Sequence, residues 1–342
     1  MEPIDFIIDW VDNNDSDWIV EKNKWAVREM LDNNIVDDAN SECRYRSDEA
    51  MLRYWFRSVE KFAPWVNKIF FVTCGQKPSW LNESHPKLYF VNHGDYIPYE
   101  YLPTFNAATI EMNYHRIKDL SEHFVLFNDD TFLLQHVDPQ NFFINGEPVL
   151  DSNLRYGNVE YSSWSRMIFN AYCIINKSFD ISKCIWNNRR KWFSLSALGY
   201  KRARRNLVCF LANRALPVGT YGHIALPHLK STLEEVWEKY YDIMDQMCKH
   251  KFRRDDQMNQ WLLCAWNQAK GNFYPAHVRN QGVNARLSPD TVGWVCEIIR
   301  NQSAPQICVN DSSFNTDPIR CGIEVNKSFD SILLERSAFE KD

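Results

Sequence analysis

Apolar residues in this chain come in short runs that stop at acid. Ile4-Asp5-Phe6-Ile7-Ile8-Asp9-Trp10-Val11 runs into Asp12-Asn13-Asn14-Asp15, and Phe124-Val125-Leu126-Phe127 runs into Asn128-Asp129-Asp130. Lys68-Ile69-Phe70-Phe71-Val72-Thr73 and Leu88-Tyr89-Phe90-Val91 are two more such runs. A short apolar run bounded by turn residues is the pattern of a strand covered on both faces. Between the runs the period lengthens. Ser47 reads as an N-cap, with Asp48 and Glu49 in the first turn. The helix it opens, Met51–Phe62, has an apolar stripe at Leu52, Trp55, Phe56 and Val59 and stops before Pro64. A further helix is predicted from Phe105 to Lys118. Strand, helix, strand, strand, helix, strand predicts an α/β fold with a mostly parallel sheet. Ligands of such sheets lie beyond the carboxyl ends of the strands, where the acid clusters stand.

The middle of the chain changes character. Ile181 to Leu233 contains ten Lys or Arg and no Asp or Glu, including Arg189-Arg190-Lys191 and Lys201-Arg202-Ala203-Arg204-Arg205. This reads as a basic helical insertion, which divides the chain into an α/β core at 1–150, the insertion at 151–233 and a remainder at 234–342 that completes the site. Leu198 to Ala215 fits a helix with Ala203, Leu207, Leu211 and Ala215 on one face. Lys201, Arg202, Arg204, Arg205 and Arg214 fall on the others. Beyond it, Ser231 or Thr232 with Glu234 or Glu235 suggests a capping box opening a helix to His250. Another helix is predicted from Asp256 to Ala269, stopping at Gly271. A third starts at Ser288-Pro289. Gln306-Ile307-Cys308-Val309 reads as a strand ending in Asn310-Asp311.

Composition narrows the class. The formal net charge is −5, so no global basic field recruits nucleic acid. Aromatic residues make up 14%, with 13 Trp, which suits stacking on sugar rings as well as core packing. Met1-Glu2-Pro3-Ile4-Asp5 carries acid where a signal peptide needs base, and no run approaches the ~20 apolar residues of a membrane span. The ten cysteines show no Cys-x-x-Cys pair. They read as reduced thiols of a cytoplasmic protein.

Paired carboxylates after a strand can hold a hard divalent cation against phosphate. Asp129-Asp130 has that form, and Asp12 with Asp15 and Asn310-Asp311 repeat it at two more strand ends. For Asn128-Asp129-Asp130 alone, a turn that caps the next element is the commoner reading, and it is the repetition at three strand ends that favours a site. His223, in Tyr221-Gly222-His223-Ile224-Ala225-Leu226-Pro227-His228, is either a general base or a polar residue satisfied by backbone. Arg253 and Arg254 are either a phosphate clamp or a solvated helix start.

These residues lead to a family. Ile4 to Asp15 resembles the first block of the Stealth family, the capsular polysaccharide phosphotransferases. Arg44-Tyr45-Arg46 and Leu52 through Trp65 resemble the start of its second block. That block continues through Pro78-Ser79-Trp80-Leu81-Asn82, Leu102 to Asn106, Ile110-Glu111, His115-Arg116-Ile117 and Leu120 to Phe124, and ends at Phe127-Asn128-Asp129-Asp130. His223 to Pro227, Lys230-Ser231-Thr232 and Lys251-Phe252-Arg253 resemble the third block, and Ile307 to Asp311 the fourth. The blocks occur in order and span nearly the whole chain. Asp9 stands where the family usually has Thr, and Asn13 where it has Gly. Ala225 stands where the eukaryotic relative, which tags lysosomal enzymes, has His, so His228 is a second candidate for the role of His223.

The resemblance implies a glycosyltransferase A-like fold and transfer of a sugar-1-phosphate. An acceptor glycan hydroxyl attacks the sugar-proximal phosphorus of a nucleotide-sugar and a nucleoside monophosphate leaves. It implies Mg²⁺ or Mn²⁺ at Asp129, Asn310 and Asp311, with Asp130, His223 and Arg253 catalytic. Asp12, Asp15, Arg57, Asn106, Arg116 and Lys230 would contact substrate. Two rival classes fit the residues less well: a metal-dependent glycosyltransferase releasing nucleoside diphosphate, and a non-catalytic glycan-binding module. The acceptor is a free or lipid-linked glycan, and the basic helix offers one place for peripheral contact with the inner face of the cytoplasmic membrane. Its alternatives are a solvated face whose Arg residues are neutralised by the acidic remainder, and a grip on an anionic acceptor glycan.

Overall fold

The computed structural model describes residues 2–30, 49–154, 163–212, 223–277, 281–311 and 315–341. Ser47, expected as a helix cap, lies outside them. The amino-terminal half runs β1 (Ile4–Asp9), α1 (Ser16–Met30), α2 (Glu49–Phe62), β2 (Ile69–Thr73), β3 (Leu88–Asn92), α3 (His93–Tyr96), α4 (Ala107–Met112), β4 (His123–Phe127), β5 (Thr131–Leu133), β6 (Phe143–Ile144) and β7 (Glu147–Asp151). Four helices follow: α5 (Ser163–Ser178), α6 (Ile181–Asn187), α7 (Arg189–Trp192) and α8 (Leu195–Ala212). The chain then forms β8 (Leu226–Leu229), α9 (Lys230–Lys239), α10 (Tyr241–Lys249), α11 (Trp261–Lys270), β9 (Tyr274–Ala276), β10 (Val283–Leu287), α12 (Val292–Arg300), β11 (Gln306–Asp311) and α13 (Pro318–Asp330).

The main sheet has the order β3-β2-β1-β4-β8. The first four strands are parallel, with Phe6 opposite Ile69 and Val125, and β8 closes the edge antiparallel. The expected α/β fold with a mostly parallel sheet is what forms. Alternation along the strands splits the core in two, because successive side chains point to opposite faces. Ile7, Phe70, Val72, Phe124 and Leu126 face a cluster built with Leu233, Val236, Leu262 and Trp266 of α9 and α11. Phe6, Ile8, Ile69, Phe71, Val125 and Phe127 face Trp55, Phe56 and Val59 of α2 and Val295 and Ile299 of α12. The stripe expected on α2 is the buried one.

Several boundaries differ from the sequence reading. The helix expected over 105–118 is only α4 followed by a 3₁₀ turn at Tyr114–Arg116, since Asn113 (φ −104, ψ 1) breaks it. The helix expected up to His250 breaks at Tyr240 (φ −128, ψ 36) into α9 and α10. No side chain caps α9; the Ser231 hydroxyl donates to Glu122 instead. The segment expected as an insertion supplies β8 to the main sheet, so its described helical part ends at Ala212. α11 ends as expected at Gly271, whose φ of 79 is a left-handed cap conformation natural to glycine. No described helix is long and apolar enough to cross a membrane. All described cysteines are free thiols.

Candidate active site

β1 and β4 end side by side, and the loops leaving them carry the acid. β11 is antiparallel to β5, with Cys308 opposite Thr131, and the Val309 N–H donates to the Asp130 carbonyl at 2.8 Å. This pairing carries the Cys308-Val309-Asn310 stretch to the Asp129-Asp130 turn, across nearly 180 residues of chain. The Asn310 amide donates to Asp130 Oδ2 at 3.4 Å, and the Thr131 hydroxyl to Oδ1 at 3.3 Å.

His223 closes the group. Asn128 Nδ2 lies 3.0 Å from its Nε2, and Cys308 Sγ lies 3.1 Å from Nδ1. Nδ1 is 3.9 Å from Asp130 Oδ1. With the Asn128 amide assigned NH₂ toward the ring, Nε2 accepts and the neutral ring keeps its proton on Nδ1, facing Asp130. Asp130, His223 and Cys308 present ligand atoms all within 4.8 Å of one another. Burial, then the charge of Asp130, push the Cys308 thiol well above its ordinary range. With no cation beside it, the thiol therefore stays protonated.

Three more carboxyl groups crowd the same place. Burial pushes Asp129 up to about 7, reinforced by the charge of Asp130 and opposed by backbone N–H bonds and Arg253. Burial also pushes Glu111, on α4, up to about 7, against an N–H from Gln260 and the charge of Arg253. Asp9 is raised well above the carboxylate range by burial, with the charges of Glu111 and Asp129 adding to it, although the Tyr114 hydroxyl donates to it. The structure thus places Asp9, which replaces the family's usual Thr, at the site. It also adds Glu111, a residue inside a quoted motif to which the sequence reading attached no role. The signal in the sequence was a lone acid in an otherwise apolar short helix.

The other sequence candidates take structural partners. Asp15 caps α1, accepting from the N–H of Asp17 at 2.9 Å and of Trp18 at 3.2 Å, and Gln76 braces the loop through Asp15 Oδ2 and the Asp12 backbone. Asp12 Oδ1 accepts from the Asn14 N–H, 2.9 Å away, in the loop beyond β1. Asn106 is buried and caps α4, so it positions the helix that carries Glu111. Arg57 pairs with Glu340. The Arg116 guanidinium lies 4.9 Å from the Trp237 ring centre. Lys230 begins α9. The side chain of Asp311 lies outside the described residues. Arg253 is half-buried, with its charge felt at Glu111 and Asp129.

A family profile described as Stealth protein CR2, conserved region 2, matches residues 44–149. The capsular polysaccharide phosphotransferase WcwK of Streptococcus pneumoniae is 39% identical over 342 residues, covering 100% of this chain and 99% of its own length. The receptor polysaccharide phosphotransferase WefC of Streptococcus gordonii is 36% identical over 99% of both chains. The chain belongs to the Stealth family of polysaccharide phosphotransferases. It is accordingly an enzyme of the transferase class. Among solved structures, the galactosyltransferase LgtC aligns over 98% of both chains with a TM-score of 0.37 and 11% identity.

Within this Stealth chain the two candidate histidines are separated by their surroundings. His228 is buried in β8, its Nε2 3.0 Å from Gln260 Oε1, and burial pushes its pKa down to about 4. His223 is half-buried among the polar groups of the site. His223→Ala is expected to lower kcat at least 10²-fold with little change in Tm. His228→Ala is expected to lower Tm by several degrees through the cavity it leaves. Thermal melts and kinetics on the two variants check this, and the reverse pattern would reassign the base.

Proposed function

We propose that this enzyme moves a sugar-1-phosphate from a nucleotide-sugar to a glycan hydroxyl and releases a nucleoside monophosphate, in building capsular or surface polysaccharide on the cytoplasmic side. The observation behind the proposal is the convergence of Asp129, Asp130, Glu111, His223 and Arg253 beyond the strand ends. Such a group supplies the base, the charge neutralisation and the positioning that phosphoryl transfer requires.

The geometry supports a role for each. His223 takes the acceptor proton at Nε2, where the acceptor hydroxyl replaces the Asn128 amide. Asp130, 3.9 Å from Nδ1, stabilises the imidazolium that results. Arg253 faces the phosphate charge. A hard divalent cation suits the remaining donors. Asp129 and Asn310 supply oxygen, and the burial that raises Asp129, Glu111 and Asp9 makes their ionised forms costly unless a cation stands beside them. Asp129 and Asn310 would hold Mg²⁺ or Mn²⁺, which when bound neutralises the diphosphate of the donor.

The deciding experiment incubates the enzyme with candidate nucleotide-sugars and an acceptor glycan and identifies the nucleotide released. Monophosphate is expected; diphosphate would overturn the reading in favour of simple glycosyl transfer. A second expected result concerns the cation. Activity should vanish with excess chelator and return with Mg²⁺ or Mn²⁺, and Asp129→Asn should raise the cation concentration needed by about tenfold or more. Full turnover in excess chelator would remove the metal from the scheme.

A further inference from the structure

The helix α8 turns to solvent Leu207 and Leu211 of the face that sequence patterning grouped with Ala203, while Ala203 itself is buried. Gly199, at φ 71 and ψ 163, kinks it, so the regular helix runs from Tyr200 to Ala212, about 20 Å at 1.5 Å per residue. Its inward face is Ala203, Asn206 and Cys209. Asn206 fixes that choice. Its side chain accepts from the Leu154 N–H at 2.9 Å and donates to the carbonyls of Ser152 at 2.7 Å and Trp192 at 2.8 Å. Arg202 is drawn inward as well, paired with Asp151.

What remains outside is an arc of mixed character. Tyr200 is 68% exposed, Leu207 41%, Val208 54% and Leu211 74%. At 100° per residue Leu207, Tyr200 and Leu211 stand together, and Val208 falls among the exposed Arg204, Lys201 and Arg205 on the adjoining part of the arc. Arg205 reaches Asn153, and among the described residues no acidic side chain pairs with Lys201 or Arg204. Beside the arc, the half-exposed Trp186 ring stacks on Phe210 of the same helix, with the Arg189 guanidinium 5.4 Å from its centre. Four exposed apolar side chains on one helix are costly in water, and cations set among them suit a surface that is apolar beneath and anionic above.

We propose that the outward face of α8 docks on an anionic phospholipid surface. Tyr200, Leu207, Val208 and Leu211 enter the headgroup boundary, and Lys201, Arg204 and Arg205 meet lipid phosphates. Charge distribution selects this occupant. The segment from Ile181 to Leu233 carries ten basic and no acidic side chains, which leaves 29 basic against 44 acidic, or −15, on the rest of the chain. An anionic bilayer therefore attracts this face and repels the remainder, so the molecule lands in one orientation. A polyanionic glycan or nucleic acid would use the cations but leave the leucines in water. Docking is independent of which nucleotide the enzyme releases.

The test is flotation of the full chain with vesicles of phosphatidylcholine alone and of phosphatidylcholine mixed with phosphatidylglycerol, at low and high salt, with no donor present. Binding is expected only with the anionic lipid and is expected to fall with salt. The triple variant Lys201→Gln, Arg204→Gln, Arg205→Gln is expected to weaken vesicle partition about 100-fold. The double variant Leu207→Ser, Leu211→Ser is expected to weaken it at least tenfold. All of these side chains are exposed, and Arg205 gives up one bond to Asn153, so melting temperatures should stay near wild type, and a near-matching melt shows that lost binding is lost docking. No flotation at low salt overturns the proposal. So does binding that ignores the serine variant, which would mark a polyanion site, and so does a wild-type dimer that the serine variant dissolves, which would mark a second copy as the occupant.

Discussion

Asp130→Asn is expected to lower kcat by about 10²- to 10³-fold, or about 3–4 kcal/mol of transition-state stabilisation, while the protein stays folded. The carboxylate sits where three distant parts of the chain meet: the β4–β5 turn, β11 and the loop holding His223. Its structural bonds are weak ones. The Thr131 hydroxyl lies at 3.3 Å and the Asn310 amide at 3.4 Å, and an amide oxygen can accept either. The bond that ties β11 to the turn uses the Asp130 backbone carbonyl and survives the change. Stability should therefore shift by no more than about 1 kcal/mol. Asparagine removes the negative charge beside Nδ1 of His223. On the proposed mechanism, the imidazolium formed on proton uptake then loses the counter-charge of Asp130, and the acceptor hydroxyl keeps its proton longer. Steady-state kinetics with thermal melts check this. A variant that retains more than a tenth of wild-type kcat would remove Asp130 from the chemistry.

Glu340→Ala is expected to destabilise the fold by about 3 kcal/mol at neutral pH, because it leaves two arginines without their partner. The Glu340 side chain has no exposure, Arg57 13% and Arg53 33%. Oε1 accepts from Arg57 Nε at 2.7 Å and the Ser337 N–H at 3.1 Å; Oε2 accepts from Arg57 Nη2 at 2.9 Å and Arg53 Nη1 at 3.0 Å. The cluster clamps residues 337–341 onto α2, with Phe339 beside Phe56 at a ring separation of 5.2 Å. Burial alone would raise the Glu340 carboxyl, but the bonds from Arg57, Ser337 and Arg53 bring it down to about 2 from 4.5. A folded-state value below the unfolded one means stability that is present above about pH 4.5 and lost as the pH falls toward 2. The gap between wild type and variant should therefore be largest at neutral pH and close on acidification. Melting curves from pH 2 to 7 check this, and a variant within 0.5 kcal/mol of wild type at pH 7, a surface-pair magnitude, would show the clamp to be dispensable.

The sequence by itself determined the central sheet and the stripe of α2. The strands are covered on both faces, so their apolar character is continuous and ends abruptly at polar residues. Burial on one side only puts the helical period into Leu52, Trp55, Phe56 and Val59. It also placed acid at the strand ends, because a chain leaving a sheet needs turn residues there, and the motif resemblance led to His223 and Arg253. Tertiary structure decided which of these groups meet. Asp9, Glu111 and Cys308 join Asp129, Asp130 and His223 through strand pairing and helix packing across nearly 300 residues of chain, and such contacts have no local signature. It also decided that Asp15, Asn106 and Arg57 hold a helix start, a helix cap and the C-terminal clamp. The rotation of α8 was decided there as well. Patterning groups Leu207 and Leu211 with Ala203 on one face, but three hydrogen bonds made by the buried Asn206 fix the rotation of the helix, burying Ala203 and turning both leucines to solvent.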